Sequence, residues 1–198
     1  YLARLGWSHG DDEVFTTKQF VEWFDLRHVS RSPAQFNPEK LLWLNQQYMK
    51  TADLQRLADL VAPRLKAADV KVEGGPDLTE AIAVFRDRAT TVVELADQVS
   101  LLYREPDPSG ELLTQHLTED IKPVLRELAG RYEGLENWDV ASVTAAFDGV
   151  LKERGLKMPK LAIPLRVLVF GTPQTPAIHG LITLVGRRHV VTALKRLL

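Results

Sequence analysis

The sequence predicts an all-α protein, a helical bundle or superhelical array, on three observations. Apolar residues recur at three- and four-residue spacing through most of the 198 residues. These periodic runs open at side chains that cap helices and stop at glycine or proline. No alternating strand pattern finds a partner elsewhere, and no internal repeat is present.

Each element has its own start and stop. Asp11-Asp12-Glu13 reads as the acidic start of a helix, where the macrodipole favours negative charge. Thr16 and Gln19 form a capping box, each side chain positioned to satisfy an orphan backbone N–H of the first turn. Phe20, Trp23 and Phe24 mark one face. Asn37 before Pro38 is an N-cap with proline at the first helical position, where no hydrogen bond is lost. Leu41, Leu44 and Tyr48 form that helix's expected buried stripe. Leu54, Leu57, Leu60 and Val61 continue at helical spacing to Pro63, which is expected to end or kink the helix. The run from Val72 to Pro76 is a breaker cluster. A helix from about Leu78 to Arg86 follows. Thr91 with Glu94 opens another, with Val92, Leu95, Val99 and Leu102 inward.

Two prolines and a glycine between Glu105 and Gly110 make that run the strongest domain-boundary signal. Beyond it, Ile121, Val124, Leu125 and Leu128 share one helical face. Val140, Val143, Phe147 and Val150 share another, closed by Gly155. Arg166 to Phe170 fits a strand as well as a helix, and is too short for periodicity to decide. Gly186 splits the last two helices, with Ile178, Leu181, Ile182 and Val185 inward in one and Val190, Leu194 and Leu197 in the other. Trp7, Trp23, Phe24, Trp43, Trp138 and Phe147 are expected in the core, since they sit beside aliphatics at helical spacing.

Composition excludes several kinds of function. The chain is 45% hydrophobic and 26% charged, ordinary for a globular protein. Cysteine is absent, so there are no disulfides, thiolate metal sites or cysteine nucleophiles; this fits a reducing, cytoplasmic setting. The histidines His9, His28, His116, His179 and His189 are scattered, with no pair at i,i+4, so no metal site is expected. No apolar run approaches the roughly 20 residues needed to span a membrane. Glu73-Gly-Gly-Pro lacks the spacing and the lysine of a phosphate-cradling loop. No catalytic residue is expected. The opening Tyr-Leu-Ala-Arg lies inside an apolar periodic run and reads as the continuation of a longer protein.

The net charge of -1 hides an asymmetry. From Arg154 onward there is no acidic residue, while Arg154, Lys157, Lys160, Arg166, Arg187, Arg188, Lys195 and Arg196 recur. An acid-free basic segment is the electrostatic footprint of a polyanion partner. Arg166 is followed by the polar, proline-bearing run Gly171-Thr-Pro-Gln-Thr-Pro-Ala-Ile178. One cation on a regular element and a rigid loop with free backbone groups suit the reading of unstacked RNA bases. Arg88 stands at the junction before the Thr91 cap, where a guanidinium presents a planar donor fork. The competing readings are a solvated basic face, or a noncatalytic helical protein-interaction domain with a basic docking surface.

Four motifs carry a resemblance. They are Tyr1-Leu-Ala-Arg-Leu-Gly-Trp-Ser-His-Gly10, Phe36-Asn-Pro-Glu-Lys-Leu-Leu-Trp-Leu-Asn45, Arg86-Asp-Arg88, and Pro164-Leu-Arg-Val with Thr175-Pro-Ala-Ile178. In this order, over the full length, the chain resembles the C-terminal part of bacterial glutamyl-tRNA synthetases. The resemblance implies residues 1–53 as the end of a helical stem-contact region, 54–105 as a first anticodon-binding subdomain and 106–198 as a second. It implies helix for Arg166 to Phe170. It implies that Arg88 reads the first anticodon base, and that Arg166, Thr175, Pro176 and Ile178 contact the second and third. Asp148 stands where some members carry a further arginine, and no role is carried to it. Arg88 is also associated with members that reject glutamine tRNA. Lys157, Lys160, Arg187 and Arg188 are candidate phosphate contacts. The implied partner is a glutamate tRNA, with no DNA or membrane partner, and the expected state is monomeric. No cofactor is expected here; ATP and Mg belong to the catalytic half of such enzymes. Lys157-Met-Pro-Lys160 is not that half's mobile KMSK-type loop, because it follows a helix C-cap with no nucleotide-binding fold before it.

Overall fold

A computed structural model describes residues 1–31 and 33–197, without the side chain of Leu197. Among them are eleven α-helices and no strand. The expectation that Leu197 faces inward falls outside the described side chains.

The first fifty residues are held by aromatic and polar contacts. Trp7 is buried, and its ring meets Phe15, Phe20 and Phe24 within 6.0 Å. His9 stacks on Trp23 at 4.3 Å. Helix α1 (Thr17–Trp23) opens with the expected capping box: Gln19 N–H donates to Thr16 Oγ1, and Thr16 N–H donates to Gln19 Oε1. Glu13 does not lead into it. Its carboxylate bridges Arg4 at 2.9 Å and Lys40 at 2.7 Å, because it stands on irregular chain before the cap, facing two cations. The hydrogen bond from Lys40, then that from Arg4, lowers the Glu13 carboxyl below its ordinary range.

Helix α2 (Pro38–Thr51) is capped by Asn37, which accepts from Lys40 N–H at 3.0 Å. Its expected stripe is only partly buried. Leu44 and Met49 are inside, whereas Leu41, Leu42, Trp43 and Tyr48 are exposed, and Phe24 before them is exposed too. Tyr48 is tied down through its hydroxyl, which donates to Phe15 O at 2.8 Å. Periodicity located the helix but not which part of its apolar face has a neighbour.

Helices α3 (Leu54–Ala67), α4 (Leu78–Phe85) and α5 (Val92–Ser100) pack on one another, capped by Asp53, Asp77 and Thr91. Pro63 does not end α3, which runs on to Ala67. Pro63 and Asp59 are both exposed, so the Asp59 carbonyl that loses its intrahelical donor faces solvent. Leu60, expected inward, is exposed on the same side.

Helix α6 (Gly110–His116) starts at Ser109, inside the run expected to be only a connection. Its adjacent Leu112 and Leu113 pack on the core but show no periodicity. Helices α7 (Lys122–Glu133), α8 (Val140–Arg154), α9 (Met158–Phe170), α10 (Ile178–Val185) and α11 (Arg187–Leu197) follow. Val140 at the start of α8 is exposed rather than inward, while Val143, Phe147 and Val150 are fully buried. Gly155 ends α8 with φ at +62°, the left-handed geometry that favours glycine.

Helix α9 settles the ambiguity at Arg166 to Phe170 in favour of helix. It packs against α6, α7 and α11 and buries eight of its 13 residues. A helix covered on most sides shows no polar stripe, so its sequence reads as a continuous apolar run. Buried residues from Met49 to Leu194 form one connected core.

Candidate nucleic-acid interface

The site begins with the turn after α4. Arg88 N–H donates to Phe85 O at 3.0 Å, and the next residue, Ala89, is fully buried. The backbone of Arg88 is therefore fixed while its side chain is exposed. Helix α2 clamps the same turn: Asn45 Nδ2 donates to Thr90 O at 2.5 Å and Gln46 Nε2 to Asp87 O at 3.1 Å. Arg86, the neighbouring cation, is turned back to donate to Ala52 O at 3.3 Å. Of the Arg86-Asp-Arg88 cations, only Arg88 extends toward the loop before α10.

That loop leaves α9 at Gly171, whose φ is +71°. A Cβ there would stand 3.5 Å from the Asp107 backbone nitrogen, so the loop rests against the connection that precedes α6. Pro173 and Pro176 each fix a φ. Thr175 lies between them, half-buried. Its hydroxyl accepts from Arg166 Nε at 3.0 Å and donates to Pro176 O at 3.0 Å. Its carbonyl accepts from Arg88 Nη1 at 3.4 Å, the long end of a hydrogen bond. Burial, and after it the charge of Arg88, lowers the pKa of the Arg166 guanidinium. Two like charges thus stand near each other on Thr175.

The structure brings together Arg88, Arg166 and Thr175, and treats the other two expected contacts differently. Pro176 is buried, and Ile178 is fully buried in the core. The Ile178 side chain offers no surface to a base; it anchors the start of α10 and so fixes the loop. His179, which sequence reasoning passed over, stands beside this cluster. Its ring meets Phe147 edge-on at 4.9 Å, and burial, opposed by the charge of Asp148 and reinforced by that of Arg166, lowers its pKa. Nothing in its local sequence signals this, because Asp148 and Arg166 come from two other helices.

The cations of the acid-free segment are not one patch. Arg154 pairs with Glu127 at 2.5 Å, Lys195 with Glu133 at 2.7 Å and Arg196 with Glu105 at 2.8 Å. Folding supplies from upstream the acids that the segment lacks, which corrects the picture of a uniformly electropositive end. Lys157 and Lys160 remain exposed at the start of α9. Arg187 is half-buried, 5.7 Å over the Trp138 ring, and donates to Glu136 O at 3.3 Å. Arg188 is exposed and lines a cleft of about 460 Å³ with Lys71, Tyr103 and His189. The four candidate phosphate contacts therefore sit in two pairs, at the starts of α9 and α11.

The chemistry on offer is recognition. Two arginine forks and a hydroxyl on a proline-bounded loop can bond base edges, and exposed cations can contact phosphates. Among the described residues, no group of three or more histidines, aspartates or glutamates converges to hold a metal. No helix among them is long and apolar enough to cross a membrane.

Comparison with known proteins agrees with this chemistry. Residues 44–198 match the family model of the anticodon binding domain. The chain is 53% identical over 195 residues to a glutamate–tRNA ligase of Thiobacillus denitrificans, covering 98% of this chain and 41% of that protein. It is 52% identical over 198 residues to the corresponding ligase of Cupriavidus metallidurans, covering all of this chain and 42% of that protein. The chain thus spans about two-fifths of the length of these curated relatives. Its fold matches a crystal structure of a glutamate tRNA ligase from Elizabethkingia meningosepticum with a TM-score of 0.89 at 22% identity, covering 99% of this chain and 39% of that one.

Proposed function

The chain belongs to the anticodon binding domain family, and from that premise we propose that it is the tRNA-reading portion of a bacterial glutamate–tRNA ligase. The observation that carries the reading is the convergence of Arg88 and Arg166 on Thr175, cations from two helical groups meeting on one polar loop. In this reading Arg88 contacts the first anticodon base. Arg166 and Thr175 contact the second and third, and Pro176 and Ile178 hold the loop from inside the core. Lys157, Lys160, Arg187 and Arg188 contact phosphates, fixing register without carrying sequence information. Residues 1–53 close a stem-contact region, 54–105 form the first anticodon-binding subdomain and 106–198 the second. The partner is glutamate tRNA, bound by a monomer in the cytoplasm.

ATP and Mg are assigned to residues of the ligase outside this chain. Among the described residues no ligand cluster is present for the metal, and no step is derived through either group. This portion discriminates between tRNAs; chemistry belongs to the remainder of the ligase.

The test is binding of the 198-residue chain to glutamate tRNA and to versions changed at one anticodon base each. Weaker binding of the changed tRNAs is expected. Equal binding of all of them would instead support the docking-domain reading, in which a basic surface meets any acidic partner.

A further inference from the structure

We propose that the cleft between the two helical groups holds one phosphodiester of the bound RNA between Lys71 and Arg188, a contact separate from the base-reading loop. The inference rests on the tRNA-binding role proposed above. The cleft, of about 460 Å³, is of a size that takes small ligands. Lys71 and Pro76 border it from the turn between α3 and α4, and Arg188, His189 and Thr192 from α11. Arg88, Arg166 and Thr175 do not line it.

The walls are fixed from both sides. The Tyr103 hydroxyl donates to Pro76 O at 3.0 Å, and the Tyr103 ring lies 2.6 Å from where a Cβ on Gly75 would stand. Across the cleft, Arg196 ties α11 to the 105–110 connection, pairing with Glu105 at 2.8 Å and donating to Pro106 O. A site held in this way has little ordering left to lose when it takes a ligand.

Charge selects the occupant. Arg196 and Glu105 both line the cleft, but each neutralises the other. With histidine neutral, two cations, Lys71 and Arg188, then face one carboxylate, Glu73, an excess of one positive charge. Lys71 and Arg188 are exposed, and neither side chain has an ion pair or hydrogen-bond partner among the described residues. A phosphodiester carries a single negative charge, whereas a terminal phosphate carries about 1.5–2 at pH 7. The excess matches the diester, the form in which phosphate recurs along an RNA strand. Position agrees with charge. The 105–110 connection borders the cleft at Pro106, and at Asp107 it backs the reading loop, 3.5 Å from where a Cβ on Gly171 would stand. The cleft and the loop flank one connection, so a single RNA can touch both.

The test uses the 198-residue chain and glutamate tRNA. The chain has no cysteine, so Thr192→Cys places a single exposed thiol in the cleft. With tRNA at about ten times its Kd, modification of that thiol should slow about ten-fold, in step with the fraction of chain left free. Adenosine monophosphate is the second arm: protection by it and not by tRNA would assign the cleft to a free nucleotide and overturn the proposal. Lys71→Gln and Arg188→Gln together should make the slope of log affinity against log salt shallower by about 0.7–0.9, one phosphate's worth. Twice that change would put the two cations on separate phosphates, and no change would leave the cleft without RNA; either result overturns the proposal. Glu73→Gln removes the opposing carboxylate and should tighten binding about two- to five-fold, alike for every anticodon variant. Unchanged or weaker binding in that variant counts against the charge balance on which the site depends, and overturns it. A chain that binds no tRNA fails on the tRNA-binding role itself and takes the cleft with it; one that binds tRNA and leaves the thiol fully reactive fails on the cleft alone.

Discussion

Arg88 has its backbone locked in a turn and its guanidinium in the open. Its side chain buries little, so replacing it removes a donor fork and leaves the scaffold intact. Arg88→Gln retains an amide donor but loses the charge and the planar fork. The expected outcome is about 1–3 kcal/mol less discrimination at the first anticodon base, the range of a good bidentate contact, with the midpoint of thermal unfolding nearly unchanged. Affinities for tRNAs varied at each anticodon base in turn measure this; an equal loss against all of them would make Arg88 a phosphate contact. What the sequence reveals at this scale is uneven. Arg166 stands out through the acid-free segment, whereas Arg88 lies among acids, and only its place at a helix junction and the resemblance mark it. Ile178 shows the limit of that route: resemblance transfers a position, not a direction, and the side chain lies in the core.

At the scale of elements, caps were the most legible feature. Thr16, Asn37 and Thr91 act where their local sequence places them, because a cap is satisfied within three residues. Features that need a distant neighbour were not legible. Leu41 and Tyr48 stay exposed, Pro63 is tolerated because its side of α3 is exposed, and α9 hides its helical period by being buried nearly all round. The packing of α10 on α8 makes a prediction of its own. His179 lies edge-on to Phe147, and its Nδ1 is buried with no hydrogen-bond partner among the described residues. Burial pushes its pKa below the ordinary value of 6.5, while Asp148 pulls it upward and Arg166 pushes it down. The unfolded chain therefore takes up this proton at a higher pH than the folded chain. Between the two values the unfolded state holds more protons, so stability is full above about pH 6.5 and declines as pH falls toward the folded value. The unfolding midpoint should drop between about pH 7.5 and pH 5.5, and drop less in His179→Asn, which removes the titrating ring. Parallel pH profiles for the two proteins would show that His179 does not titrate in this window.

At the scale of the whole molecule, the linear sequence overstates the positive charge of its own C-terminal end. The acids missing after Arg154 are returned by the fold, since Glu127, Glu133 and Glu105 come from elements packed against it. Such surface pairs add little stability, but they remove Arg154, Lys195 and Arg196 from the cations free to meet an RNA backbone. Lys157, Lys160 and Arg188 remain exposed, joined at the loop by exposed Arg88 and half-buried Arg166. Each phosphate neutralised releases about 0.7–0.9 counterion, so three to five contacts give a slope of log affinity against log salt of about -2 to -4. The identity of the cations matters more than their number. Lys160→Ala should make the slope shallower by about 0.7–0.9 and weaken binding to every anticodon variant alike, as a phosphate contact must. Lys195→Ala should leave the slope nearly unchanged, because its ammonium already faces the Glu133 carboxylate at 2.7 Å. Titrating one tRNA against the unaltered chain and both variants at several salt concentrations separates the two classes. Equal changes in slope for Lys160→Ala and Lys195→Ala would mean that the RNA opens the surface ion pairs, so that the paired cations meet the tRNA as the free ones do.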